Sequence, residues 1–236
     1  VSSGGVAMSL VEVRGLEHVY ANGVRALAGV DFDLLAGETV ILLGPNGSGK
    51  TTFVLHLIGL LQASAGTVRI AGLDVRAENL RAVRQKVGFL FQDPDEQLFM
   101  PTVLEDAAFG PLNHGLPAER ARDKARAELA RVGMEQAAER APYHLSSGEK
   151  RRVALAGVLA MDPEILILDE PTTYLDPPGQ KLLADILVEL PQAKIVVTHD
   201  LRWARRCGTR AVFFDGGKIV GRGGVEELIQ RFEWER

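Results

Sequence analysis

Gly44-Pro45-Asn46-Gly47-Ser48-Gly49-Lys50-Thr51-Thr52 decides the fold. The stretch meets the phosphate-loop pattern G-x-x-x-x-G-K-[ST] at every fixed position. Before it, Thr39-Val40-Ile41-Leu42-Leu43 is apolar and β-branched, the composition of a strand buried in a parallel sheet. After it, residues 53–61 are apolar enough to carry the opening of a helix. A strand, a Gly-rich turn and a helix aim several backbone N–H groups and a helix N-terminus at one point, and that point attracts anions. Asn46, Gly47, Ser48, Gly49, Lys50, Thr51 and Thr52 are thus the expected cradle of a nucleoside triphosphate. Lys50 reaches the β- and γ-phosphates, and the Thr51 hydroxyl ligates Mg²⁺.

Composition restricts what hydrolysis can drive. Of 236 residues, 46% are hydrophobic and 25% charged, as in ordinary soluble globular proteins. The length suits one large α/β domain or two small ones. A formal net charge of -4 gives no pull toward nucleic acid or anionic membrane. Cys207 is the only cysteine, which excludes an intrachain disulfide and points to a reducing compartment. No apolar run approaches the ~20 residues that span a bilayer. The first residues lack the basic start and apolar core of a signal peptide, and Met8 is read as the natural start, with residues 1–7 an extension. Work at a membrane would then require another chain to hold this one there.

Along the chain, residues 10–20 read as a strand and Ala21-Asn22-Gly23 as a turn. Val30-Asp31-Phe32-Asp33-Leu34 alternates like a half-buried antiparallel strand. Short strands are expected at 66–72 and 86–91. Residues 80–85, 103–109 and 117–132 look helical, the last with Pro117 at its start and a run of Ala, Arg and Glu. Strands resume at 165–168, 194–197 and 211–214. A hairpin turns on Gly216-Gly217, and a terminal helix is expected at 225–234. The reading is a single domain, 1–236. Its α/β core (1–91 and 158–236) holds an inserted, mostly helical subdomain (92–157).

Ile165-Leu166-Ile167-Leu168-Asp169-Glu170 is an apolar strand ending in two acids. Acids at the carboxyl end of a buried parallel strand lie where ligands bind in such sheets. Asp169 is expected to hold Mg²⁺, and Glu170 to accept a hydrogen bond from the attacking water. Phosphoryl transfer asks the protein mainly for charge neutralisation and a positioned nucleophile. Leu145-Ser146-Ser147-Gly148-Glu149 precedes a helical run from Lys150 to Ala160. By pattern it reads equally as a capping box, Ser146 with Glu149, and as a second anion-binding helix start.

That stretch resembles the signature motif of ATP-binding cassette (ABC) proteins, usually Leu-Ser-Gly-Gly-Gln. The resemblance covers residues 10–225 and implies a P-loop NTPase core: a mixed sheet with helices on both faces, an antiparallel β subdomain and the helical insert. It implies ATP as the nucleotide, with Ser146 and Gly148 completing the site of a second ATPase subunit in a head-to-tail dimer, of identical or paired chains. It also implies that Tyr20 stacks on adenine, that Gln92 senses Mg²⁺ and the γ-phosphate, that Asp176 crosses the dimer seam, and that His199 is the switch histidine at the γ-phosphate. The chain departs from the pattern in three places. Ser147 replaces a glycine, Glu149 replaces glutamine, and Tyr174 stands where a small residue is usual.

Val87-Gly88-Phe89-Leu90-Phe91-Gln92-Asp93-Pro94-Asp95-Glu96-Gln97-Leu98-Phe99, with residues 102–113, is similar to the ATPases of energy-coupling-factor importers, which take up cobalt, nickel or vitamins. The resemblance implies a groove near residues 92–100 that receives a helix of a transmembrane partner. Phe91, Leu98, Phe99 and Met100 are its expected apolar floor. The protein would then work at the cytoplasmic face of the membrane as a peripheral subunit. The competing reading is the ATPase of a conventional ABC importer or exporter. A soluble cassette acting on nucleic acid or the ribosome fits less well: fewer than a hundred residues separate Lys50 from Ser146, and no basic patch or tail is present. A regulator without turnover is disfavoured by Glu170 and His199.

Overall fold

β1 (Ser9–Val19) and β2 (Arg25–Leu35) make an antiparallel ribbon that buries Val11, Val13, Leu16, Leu27, Val30, Phe32 and Leu34. The computed structural model describes residues 9–173 and 175–234. The expected start at Met8 and the bulky Tyr174 lie outside the described residues. The chain reverses where Ala21-Asn22-Gly23 sits, with the Tyr20 N–H donating to the Val24 carbonyl at 2.9 Å. β3 (Thr39–Leu43) is buried at all five positions, as its β-branched apolar sequence requires of a strand covered on both faces.

α1 (Lys50–Leu57) starts three residues earlier than the apolar run suggests. Gly49, at φ 105°, ends the loop in a left-handed conformation, and the Phe53 N–H closes on its carbonyl at 2.8 Å. Lys50, Thr51 and Thr52 therefore form the first turn. The helix also stops early, because Gly59 at φ 63° supplies a left-handed terminus. β4 (Ala65–Ile70) pairs antiparallel with β1 and with the short β5 (Leu73–Asp74), completing a sheet of order β2-β1-β4-β5. α2 (Leu80–Lys86) follows.

The next segment is a separate compact unit, Val87–Leu190. It contains β6 (Val87–Leu90), α3 (Val103–Asn113), α4 (Ala118–Arg131), α5 (Ser147–Leu159), β7 (Ile165–Asp169) and α6 (Pro177–Glu189). β6 and β7 pair in parallel and are buried throughout. α3, α4 and α5 pack on one another. Gly157 brings α5 close to α3: a Cβ there would lie 3.5 Å from the Ala107 Cα. Pro111 sits inside α3, which runs four residues past the expected end.

The chain then rejoins the first unit, which holds the described residues up to Lys86 and those from Pro191 on. β8 (Ala193–Val197), α7 (Leu201–Cys207), β9 (Arg210–Asp215), β10 (Lys218–Gly223) and α8 (Val225–Arg231) complete it. β8 and β9 flank β3 in parallel, and β10 adds an antiparallel edge through the Gly216-Gly217 turn. α6 and α7 are not apparent in the sequence. Pro177-Pro178-Gly179 reads as a breaker, yet Pro177 occupies the first helical position, where its missing N–H costs nothing, and Asp176 caps the end. α7 is only seven residues long and rests on its Asp200 cap.

Candidate nucleotide site

The phosphate loop is shaped by contacts beneath it. A Cβ on Gly44 would stand 2.1 Å from the Phe214 carbonyl oxygen, and one on Gly49 would stand 2.6 Å from that of Ala26. Only glycine allows both approaches. The Gly216-Gly217 turn supports the loop from below: the Gly217 N–H donates to the Ser48 carbonyl at 3.1 Å, and the Ala28 N–H donates to the Gly217 carbonyl at 2.9 Å. Lys50 is buried, and its Nζ donates to the Gly44 and Pro45 carbonyls at 2.7 and 2.9 Å. The ammonium is thus held inside the loop curve, at the open end of the helix dipole. Thr51 is exposed in the first turn. The Thr52 hydroxyl lies 3.0 Å from the Tyr20 hydroxyl.

His199 follows β8 and precedes the Asp200 cap of α7. Burial, aided by the positive charge of Lys50, pushes its imidazole below the ordinary value. It is therefore neutral at neutral pH and can accept or donate one hydrogen bond at each ring nitrogen according to tautomer. Its ring lies 5.9 Å from that of Trp234. The first unit thus brings together Tyr20 with Thr52, and Lys50 with His199.

In the second unit, Asp169 is buried at the carboxyl end of β7, and Glu170 turns out of the strand at φ 46°, a left-handed conformation that only tight local constraint imposes on a non-glycine. Gln92 is exposed just past β6. The anchor of this region is Arg151, which sequence reading passed over. Its guanidinium donates to the carbonyls of Phe91, Gln92 and, at 3.3 Å, Glu170. Arg151 is 1% exposed, whereas Lys150 beside it pairs with Asp95 at 2.6 Å on the surface. One side chain therefore fixes the backbone on both sides of the expected water-positioning region. Replacing it with Met is expected to leave these carbonyls unmatched and to destabilise the protein by about 3 kcal/mol or more, read by urea unfolding. A loss under about 1 kcal/mol would show that the anchor is dispensable.

Ser146, Gly148 and Asp176 line one groove with Glu149, Arg152 and Leu182. The capping box of α5 is formed. The Ser146 N–H and hydroxyl donate to Glu149 Oε2 at 2.8 and 2.9 Å, and the Glu149 N–H donates to the Ser146 hydroxyl at 3.3 Å. These bonds, with Arg140 and Arg152 nearby, hold the Glu149 carboxyl below the usual range. Ser147 lies within α5 and is not among the positive-φ residues, so its substitution for glycine strains nothing. Asp176 accepts from the Gly179 N–H at 3.0 Å as the cap of α6.

A strand, a glycine-walled loop and a lysine curled at the start of a helix define a P-loop nucleotide-binding ATPase. The sequence profile of the family described as ABC transporter matches residues 27–173. The chain belongs to this ABC transporter family and is an ATP-hydrolysing transporter subunit. The energy-coupling factor transporter ATP-binding protein EcfA of Methanothermobacter thermautotrophicus is 44% identical over 229 residues, covering 95% of this chain and 74% of that protein. The structure of cbiO1 from Clostridium perfringens, described as part of the ABC transporter complex cbiONQ, superposes with a TM-score of 0.83 at 34% identity, covering 95% and 92% of the two chains. The ATP-binding cassette MJ0796, in a dimeric post-hydrolysis state bound to ADP and Pi, gives a TM-score of 0.83 at 29% identity over 91% of this chain and 98% of that one. The fold expected from the sequence, an α/β P-loop NTPase core with antiparallel β and helical parts, is the fold found. Among the described residues, no helix is long and apolar enough to cross a membrane.

Proposed function

We propose that this chain is the ATP-driven motor of an energy-coupling-factor importer for a metal ion such as cobalt or nickel, or for a vitamin. It acts at the cytoplasmic face of the membrane, bound to a transmembrane partner and to a second ATPase subunit. ATP lies on the phosphate loop with Lys50 on its β- and γ-phosphates, its triphosphate following the N–H groups of residues 46–52. Tyr20 stacks on the adenine. Glu170 orients the attacking water, and neutral His199 hydrogen-bonds at the γ-phosphate. Ser146, Gly148 and Asp176 serve the nucleotide of the second subunit. Thr51, Gln92 and Asp169 offer hydroxyl, amide and carboxylate oxygens, the hard donors Mg²⁺ prefers, and Mg²⁺ characteristically takes few protein ligands beside substrate phosphates. When bound, the ion neutralises phosphate charge.

The observation that carries the importer reading is an exposed aromatic surface after β6. Phe99 is 63% exposed and meets Phe109 edge-on at 4.9 Å, beside the exposed Leu112. A groove of about 140 Å³ runs between Leu98, Phe99, Phe109, Val153 and Met161. Asp106 fixes its rim by accepting from the Phe99 and Met100 N–H groups at 3.0 and 3.1 Å. Phe91 instead packs against Phe89 at 4.6 Å. An apolar slot with a rigid rim suits the apolar face of a short helix. The naming of related chains as energy-coupling factor and cbiONQ subunits supports the same reading.

The test is purification of the tagged protein from its own cells after gentle solubilisation, with mass spectrometry of what comes with it. A small transmembrane coupling protein together with a substrate-capturing membrane protein is the expected result. A pair of conventional permeases, or soluble partners alone, overturns the reading. The Phe99→Asp variant should retain about ten-fold less of the membrane partner while keeping its ATPase, as loss of a central aromatic contact does. Undiminished co-purification and transport would place the partner elsewhere.

A further inference from the structure

Beneath Tyr20, side chains of the first unit form a relay that nucleotide binding as described above does not use. His56 Nδ1 lies 2.7 Å from the Thr52 carbonyl oxygen, which can only accept, so Nδ1 carries the proton and Nε2 a lone pair. That lone pair faces His18 Nδ1 at 3.1 Å, and His18 Nδ1 also lies 3.1 Å from the Gln62 carbonyl oxygen. His18 Nδ1 therefore holds a proton shared between two acceptors. A second proton on His56 would set N–H against N–H, so His56 is neutral. Burial, which pushes the His56 imidazole below its ordinary value, acts in the same direction. Both histidines are buried. The Tyr20 ring stands edge-on to His18, 4.5 Å between centroids at 83°, and its hydroxyl is tied to Thr52 Oγ1 at 3.0 Å.

We infer that His18 and His56 are positioning residues for adenine recognition: they lock the His18 ring, which with Thr52 fixes Tyr20 in a single orientation before nucleotide arrives. The inference rests on the reading of Tyr20 as the adenine platform. Tyr20 is 37% exposed at the end of β1, where an unsupported ring would sample several rotamers. Fixing it beforehand removes the ordering cost from the binding step. The effect is confined to the base, because the triphosphate is held by the loop. His18 acts only through Tyr20.

The experiment compares ATP, as substrate, with inorganic tripolyphosphate, as a competitive inhibitor that has no base to stack. In the full-length protein, His18→Ala is expected to raise KM for ATP about five-fold, the scale of ordering one side chain, with the inhibition constant of tripolyphosphate unchanged. Tyr20→Ala should show the same split with a larger shift. The double variant should be no worse than Tyr20→Ala alone, since removing Tyr20 removes what His18 acts on. His18→Asn keeps an N–H donor toward His56 but loses the ring edge, and is expected to show the same KM shift if His18→Ala folds poorly. Equal losses for ATP and tripolyphosphate, or independent additive effects in the double variant, overturn the positioning role. A silent His18→Ala beside an impaired Tyr20→Ala overturns this inference alone. A silent Tyr20→Ala overturns the adenine reading and the inference with it.

Discussion

The Lys50→Ala variant is expected to lower ATP turnover by about three orders of magnitude, the upper scale for removing one preorganised donor from a developing charge. The side chain is buried inside the loop and bonded to the Gly44 and Pro45 carbonyls, and in the proposed site phosphate oxygens would replace those contacts. A long, flexible cation held in place before the ligand arrives does not have to be ordered during the reaction. The close backbone approaches of Gly44 to Phe214 and of Gly49 to Ala26 do not involve this side chain, so the loop itself should keep its shape. Thermal melting of the variant checks that, and phosphate release under saturating ATP checks the activity. Turnover within a few-fold of the parent would remove Lys50 from the machinery.

Glu170→Gln should produce a different failure. The amide keeps the volume and can still contact water, but it no longer accepts a proton, and turnover should fall about a hundred- to a thousand-fold. ATP binding should persist, because the phosphate loop is untouched. With hydrolysis blocked, ATP stays in place and the dimer should accumulate. Size exclusion with and without ATP reads this directly, as a shift to twice the mass only when ATP is present. A monomer under both conditions, with ATP shown to be bound, would count against a sandwich of two subunits. Unimpaired turnover would show that another group positions the water. The left-handed backbone at Glu170 makes the site sensitive to its neighbours as well, since the carboxylate direction depends on a conformation that the chain would not adopt alone.

The parts of the fold that were legible in the sequence are those where chemistry admits few residue types. A phosphate loop needs glycines where backbone comes within contact distance of backbone, and Gly44 and Gly49 meet that need against Phe214 and Ala26. Buried parallel strands need continuous apolar runs, and β3 and β7 have them, as does β8 from Ile195 on. What was not legible depends on burial or on contacts distant in sequence. Lys150-Arg151-Arg152 reads as three exposed cations, and only the folded chain separates the buried Arg151 from its neighbours. His18 and His56 are 38 residues apart and look like isolated residues in a strand and a helix. α6 was hidden because its opening prolines and glycine carry the composition of a loop, while only their position relative to Asp176 makes them a helix start. Ser146 is a different case. Its two sequence readings, cap and nucleotide contact, share the same atoms, and the structure shows the cap formed.

Arg151 grips main-chain oxygens of Phe91, Gln92 and Glu170. These bonds to the main chain do not depend on which side chains residues 91, 92 and 170 display. Residues 91, 92 and 170 can be exchanged one at a time, as in the Glu170→Gln variant, and the backbone beneath them should stay in register. For protein engineering this makes the neighbourhood a socket: the side chains at these positions can be swapped as modules, provided that one guanidinium is left alone.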